Sequence, residues 1–432
     1  MGEVVVAYVY CRGERVDFGE NWYYINTPRK DMEVREVEPH ELDKLVEFRN
    51  TWFPPVSLEE WRRDPEQGFA VAAFEGKEIV GAIPIALREF RIAPKVVIPI
   101  GFEHSVVVRP DMRSQGIGRR MVEVAAEALK DRCDALMVYR GQEKSRAYNF
   151  YRKAGHHDLH YIRPWSLRPP KDVERPGGVS VEGGPEVLRK EPLLLDLFER
   201  TYGDYGGFRE RGPGYFERAF SSALFACWKP EIYLFFHRSG AGYALCLKRT
   251  TRPAWSSGEN PLLVAEVAGE DDAVLEVLQA VAAFAAGQGW EVTAMLGPFH
   301  PLERQFWKVG FRPKSRDEGS RMILSRPIRP ERTFARIWDT YGDGPLPEDL
   351  EVRAWTPGRE FVLKKARVRK RTVTLGMKDD ILARLLMCRL DLKAAVEQEL
   401  MTVYGDVGEE VLSRICSGVP FVRWVHHPTD YI

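Results

Sequence analysis

The sequence predicts an α/β (α+β) protein built from two successive domains, each a mixed, mostly antiparallel sheet flanked by helices, followed by a smaller C-terminal α+β region. Three observations predict it. An apolar run, a glycine turn and a periodic helix follow one another over residues 105–129. The same order of strands and helices recurs beyond a Pro/Gly-rich stretch, and 432 residues correspond to about three domains. A hydrophobic fraction of 44% suffices for several cores. Lys plus Arg and Asp plus Glu number 63 each, so there is no basic excess to suit nucleic acid or an anionic membrane surface. With no apolar run of about 18 residues and no signal-peptide pattern, the chain reads as soluble and cytoplasmic. Six scattered cysteines read as reduced and structural, and no metal is expected, since the pairs His156-His157 and His426-His427 are adjacent and cannot easily face one ion.

Residues 1–32 carry two apolar stretches, 4–10 and 22–25, which read as an N-terminal strand extension. A strand over 33–37 precedes a helix over 39–48 with apolar residues three or four apart, and Trp52, Phe53 and Trp61 follow in the next helix-loop stretch. Residues 69–74 and 78–87 form a hairpin about Glu75-Gly76-Lys77, and 95–108 enter the glycine turn. Pro110 ends that strand because it cannot donate to a ladder.

The turn itself is Arg113-Ser114-Gln115-Gly116-Ile117-Gly118. Successive backbone N–H groups can meet a pyrophosphate only where no Cβ intervenes, which Gly116 and Gly118 provide, and the following helix adds its positive end. Arg113 and Arg119 can add charge-assisted bonds. Alone, the pattern fits an ordinary strand-to-helix turn equally well. Residues 135–139 then read as a buried strand and 145–154 as a Ser-capped helix holding Asn149-Phe150-Tyr151-Arg152-Lys153-Ala154-Gly155, with 160–167 closing the domain as its last strand. Strand, R-x-x-G-x-G, helix, strand and an F-Y-x-x-x-G helix end, in that order, resemble the GNAT acetyltransferase superfamily.

The resemblance implies a catalytic domain over 33–168 that uses acetyl-CoA as acyl donor. Val106, Val107, Val108, Arg113, Ser114, Gln115, Gly116, Ile117, Gly118, Arg119 and Asn149 would hold the cofactor, with backbone N–H groups of 106–108 polarising the thioester where the strand splays. Tyr151 would protonate the departing thiolate; the plain alternative is a core aromatic. Glu103 and His104 are adjacent on the entering strand and point to opposite faces. Glu103, grouped with Ser105 and Val107 on the less hydrophobic side, is the candidate base, against a solvated charge or a core histidine. Trp52, Phe53 and Arg49 would line the pocket for a small-molecule or peptide amine, with core packing as their alternative.

Residues 169–185 read as a linker. Over 186–328 the order recurs, with a hairpin about Ser239-Gly240, a strand over 262–267, a helix over 271–286 and a strand over 291–296. A last helix leads into Phe306-Trp307-Lys308-Val309-Gly310. Its Gly269-Glu270-Asp271-Asp272-Ala273 would repel a pyrophosphate, so this reads as a second, degenerate GNAT-like domain. Residues 329–432 hold strands over 351–355 and 371–375 and an amphipathic helix over 380–399. That helix, after two GNAT-like domains, resembles the sterol-carrier-like third domain of the enhanced intracellular survival family. In that family the C-terminal carboxylate acts as base in the first domain's site, which would cast Ile432 in that role here. The expected activity is N-acetyl transfer; an acyl-CoA sensor without turnover is the alternative, and a homo-oligomer is open to either.

Overall fold

The computed structural model describes residues 10–11, 14–15, 32–141, 145–250, 260–315, 320–368, 371–405 and 408–431. Tyr10–Cys11 (β1) pairs with Glu14–Arg15 (β2). The expected strands over 4–10 and 22–25 otherwise lie outside the described residues.

Met32–Glu36 (β3) leads into Leu42–Asn50 (α1) and Leu58–Arg63 (α2). Ser57 and Glu60 close a capping box at the start of α2, which satisfies two of its orphan donors. Phe69–Glu75 (β4), Glu78–Ala93 (β5) and Val96–Glu103 (β6) form an antiparallel meander, and Val107–Val108 (β7) pairs back onto β5. Ile117–Ala128 (α3), Ala135–Gly141 (β8), Arg146–Lys153 (α4) and His157–Leu167 (β9) complete this part. Strand β4 is apolar from Phe69 to Phe74 because both its faces are covered. Phe69, Val71 and Ala73 pack under α3, while Ala70, Ala72 and Phe74 pack with Trp61 under α1 and α2.

The next part holds Val179–Gly183 (β10), Gly184–Tyr202 (α5), Phe208–Arg209 (β11), Tyr215–Ser221 (α6), Ala223–Trp228 (α7), Pro230–His237 (β12), Gly242–Arg249 (β13) and Leu262–Gly269 (β14). Asp271–Gln288 (α8), Val292–Leu296 (β15), Glu303–Val309 (α9), Arg312–Pro313 (β16) and Arg321–Pro327 (β17) follow. The sheets of the two parts are continuous, in the order β10-β12-β13-β14-β15-β9-β17-β8-β6-β5-β4-β3. The expectation that the strand at 160–167 closes the first domain holds only in chain order: β9 is its last strand, but it does not pair with β8. Strand β17, from far along the chain, lies between them, with Leu324 opposite Val138 on one side and Asp158 on the other. The second half of β9 instead pairs with β15, Leu167 opposite Val292. An 11-residue strand is long enough to serve two partners in succession.

Pro330–Tyr341 (α10), Leu350–Thr356 (β18), Arg359–Lys364 (β19), Arg371–Met377 (β20), Asp379–Leu386 (α11), Leu392–Glu397 (α12), Met401–Tyr404 (β21) and Glu409–Ser417 (α13) form the C-terminal region. Its sheet runs β19-β18-β20-β21. The single helix expected over 380–399 is broken in two. Cys388 adopts a left-handed φ of 52°, and Asp391 starts a new helix by accepting from Ala394 N at 2.8 Å. No helix among the described residues is long and apolar enough to cross a membrane.

Candidate active site

Strands β6 and β8 make the site by parting. They are paired only over Ile100↔Ala135, Gly101↔Leu136 and Phe102↔Met137, although β8 runs on to Gly141. Beyond Glu103, Ser105 takes a φ of 48°, and the chain resumes as β7 against β5. Arg109 N donates to Val80 O at 2.8 Å, so the backbone groups of Val108 point the opposite way, into the gap facing β8. Val107, opposite Ala82, shares the direction of Arg109, and its N–H is turned to β5. Of the expected donors, Val108 therefore faces the gap and Val107 does not. Arg113 Nε donates to Val108 O at 2.9 Å, tying the glycine turn to this wall.

The turn's two glycines are needed for different reasons. Gly116 is left-handed at φ 79° and has open space where a Cβ would point. Gly118 lies inside α3, where a Cβ would stand 2.7 Å from Phe150 Cε2, so its absence lets α4 pack against α3. Ser114 is also left-handed, at φ 64°. The first N–H groups of α3, from Ile117 through Arg119, have no intrahelical acceptors and open on the same side as an anion-binding turn requires. Arg119 is exposed and paired with Glu123 at 3.2 Å, and Asn149 is exposed on α4. In the second part, Glu270, Asp271 and Asp272 occupy the matching helix start, α8, and place carboxylates where an anion would bind.

Tyr151, on the inner face of α4, is 4% exposed. Burial, and next the Glu103 carboxylate, push its phenol well above the usual tyrosine range, which keeps it protonated. Gly155, at φ 85°, reverses the chain after α4 so that His156 N donates to Tyr151 O at 3.0 Å. The His156 ring meets the Tyr151 ring edge-on at 5.2 Å, and its Nε2 lies 3.5 Å from Glu103 Oε1. Both partners of that pair are buried, and none of their four polar side-chain atoms has a hydrogen-bond partner among the described residues. Such atoms cost about 1–3 kcal/mol each when left unpaired. Arg326 of β17 holds the end of α4 by donating to Ala154 O at 2.9 Å, so the inserted strand braces the site.

The grouping of Glu103 with Ser105 and Val107 does not hold. The left-handed Ser105 shifts the alternation, so that Glu103 shares the α3/α4 face with Val106 and Val108, whose side chains pack with Phe150 or Met121. His104 lies on the other face, 5.8 Å from Trp61 and 2.8 Å from Gln67 Oε1, where burial holds it well below the usual histidine range. Glu103 thus faces Tyr151 and not the α1/α2 side on which an amine pocket is expected. Arg49 is a core residue: it is 1% exposed and donates to Cys227 Sγ at 2.9 Å and to Pro54 O, joining α1 to α7. Phe53 lies beside its guanidinium at 5.6 Å; Trp52 and Phe53 are half-buried, and Trp61 is core. His156 was not singled out as a site residue from the sequence; its position directly after the motif glycine was the available signal.

Ile432 lies outside the described residues, but the segment before it is threaded through the molecule's centre. Trp424 Nε1 donates to Ile92 O at 2.9 Å, and His426 stacks on Tyr139 at 4.8 Å. Asp430 accepts from Tyr215 at 2.7 Å and pairs with Arg211 at 2.8 Å, and its carbonyl accepts from Arg88. Arg88 and Arg209 share Glu66, so β5, β11 and the tail meet in one buried ionic cluster. Burial raises the Asp430 carboxyl to about 7 against the pull of Arg211.

Residues 33–156 match the model of the acetyltransferase (GNAT) family. No protein of curated function matches the sequence. Among solved structures, a GCN5-related N-acetyltransferase from Anabaena variabilis is similar at 13% identity, with 91% of this chain and 100% of that one covered and a TM-score of 0.61. A probable N-acyltransferase from Enterococcus faecalis is similar at 13% identity, 92% and 98% coverage and a TM-score of 0.63. Eis1 from Mycobacterium abscessus is similar at 15% identity, 91% and 99% coverage and a TM-score of 0.58. These likenesses extend over both sheet-forming parts and the C-terminal region, so the chain shares the fold of these proteins along nearly its whole length. Within that fold, residues 33–156 are the part that carries the match to the acetyltransferase (GNAT) family.

Proposed function

We propose that the protein is an acetyl-CoA-dependent N-acetyltransferase whose active domain is the first. The observation that carries the reading is the gap between β7 and β8, with Val108 on one wall, the glycine turn at one end and Tyr151 packed with Val106 and Val138 beside it. The pyrophosphate of the donor would lie on the N–H groups from Gly116 to Arg119, and the Val108 N–H would polarise the thioester carbonyl. A primary amine entering from the α1/α2 side, past Trp52 and Phe53, would attack the acyl carbon. As the C–S bond breaks, Tyr151 would give its proton to the sulfur, which the protonated phenol is suited to do, and the proton shed by the attacking nitrogen would pass through water to restore the phenol, leaving amide and free thiol.

The test is release of free thiol from acetyl-CoA across a panel of an aliphatic diamine, an arylalkyl amine, an amino sugar and a lysyl peptide. Wild type is expected to turn over at least one of them, and Tyr151→Phe to lower kcat about 100-fold with acetyl-CoA still bound. Binding of acetyl-CoA with no thiol release from any amine would favour an acyl-CoA sensor instead.

A further inference from the structure

Glu103 and His156 are fully buried, touch the surroundings of Tyr151 and are left unused by the transfer step above. They do not behave as a structural ion pair. Buried Glu66, by comparison, has both oxygens engaged by arginines, Arg88 and Arg209, whereas the Glu103 and His156 side-chain atoms have no hydrogen-bond partner among the described residues. Their placement is nevertheless fixed. Gly155 turns the chain so that the His156 backbone is bonded to the carbonyl of Tyr151 itself, and Ser105 rotates the strand so that Glu103 faces α4. The imidazole lies 3.5 Å from the carboxylate and, edge-on, 5.2 Å from the centre of the phenol ring, so it contacts both.

We propose that Glu103 and His156 are positioning residues for Tyr151, the imidazole fixing the ring and the carboxylate fixing the charge beside it, so that their contribution to transfer passes through the Tyr151 hydroxyl. The proposal rests on the transferase reading. The edge-on imidazole packs against the phenol ring and restricts its rotation, while the carboxylate beside it favours the protonated hydroxyl that the transfer needs. The pair also explains why a polar cluster is kept in a pocket otherwise made of Val106, Val138, Phe150, Met322 and Leu324.

The experiment is a double-mutant cycle on the full chain, with acetyl-CoA and the panel amine that wild type turns over. His156→Gln and Glu103→Gln are each expected to lower kcat about tenfold or more, with the acetyl-CoA dissociation constant changed less than about threefold. In the Tyr151→Phe background the same substitutions are expected to change kcat less than about twofold, because groups acting through one atom are not additive. Equal losses in both backgrounds, or no loss from either substitution in wild type, overturn the proposal. Should Glu103→Gln fail to fold, Glu103→Asp, which keeps the charge and shortens the reach, gives the same comparison. If Tyr151→Phe leaves kcat unchanged, the acid role of Tyr151 fails and the proposal with it; a Tyr151-dependent kcat with additive pair effects overturns the proposal alone.

Discussion

Gly116 and Gly118 look alike in the sequence and are held by different forces. At Gly116 the constraint is the left-handed backbone, so Gly116→Ala is expected to cost about 1–2 kcal/mol of stability, read as a lower urea midpoint. At Gly118 the constraint is the Phe150 ring 2.7 Å from an added Cβ. Gly118→Ala is therefore expected to displace α4 and Tyr151, lowering kcat by more than its effect on the urea midpoint implies; a loss confined to stability would contradict this. The turn was legible because glycines are demanded there locally, whereas Tyr151 was legible only through the resemblance of its motif to a family. Glu103 was legible as a candidate but not its face, since a single left-handed Ser105 reverses the alternation and nothing in its side chain announces it. His156 acquires its role from a turn that brings it under Tyr151, a contact no spacing rule encodes.

Between elements, the decisive feature is β17, which no pattern singled out because its partners β8 and β9 lie more than a hundred residues earlier. Its insertion means that the first domain cannot complete its sheet alone: without it, β8 and the first half of β9 would expose unpaired edges. A fragment of residues 1–168 is expected to lack cooperative unfolding and dispersed amide resonances. A folded, cooperative fragment would show that β17 is dispensable. The strands of the first meander were legible because β4 and β5 carry apolar residues on both faces, whereas the break between α11 and α12 was not, since amphipathic periodicity continues across Cys388 while its backbone does not.

At the scale of the whole molecule, the tail from Trp424 to Asp430 joins all three parts and buries His426 and His427 beside His160 and His300. Burial lowers all four, His300 and His426 to about 3, so their contribution is present above the free histidine value near 6.5 and is lost as the pH falls toward 3. Asp430, raised to about 7, acts oppositely: its contribution is present below a free value near 4 and is lost as the pH rises through 7. Between those limits the four histidines of the tail cluster oppose Asp430 as the pH falls. The urea midpoint is expected to fall steadily from pH 6.5 to 4.5, and His426→Gln with His427→Gln to flatten that slope; an unchanged slope would contradict the buried, neutral tail. The burial of the tail from Trp424 to Asp430 was not legible in the sequence, because its partners are contributed by distant parts of the chain. The most direct test of the account as a whole is calorimetric titration of acetyl-CoA into wild type and Gly116→Trp. Saturable binding at one site, lost in a variant that still unfolds cooperatively, is the predicted result; no binding by wild type, or equal binding by the variant, would contradict the assignment of the glycine turn as the cofactor site.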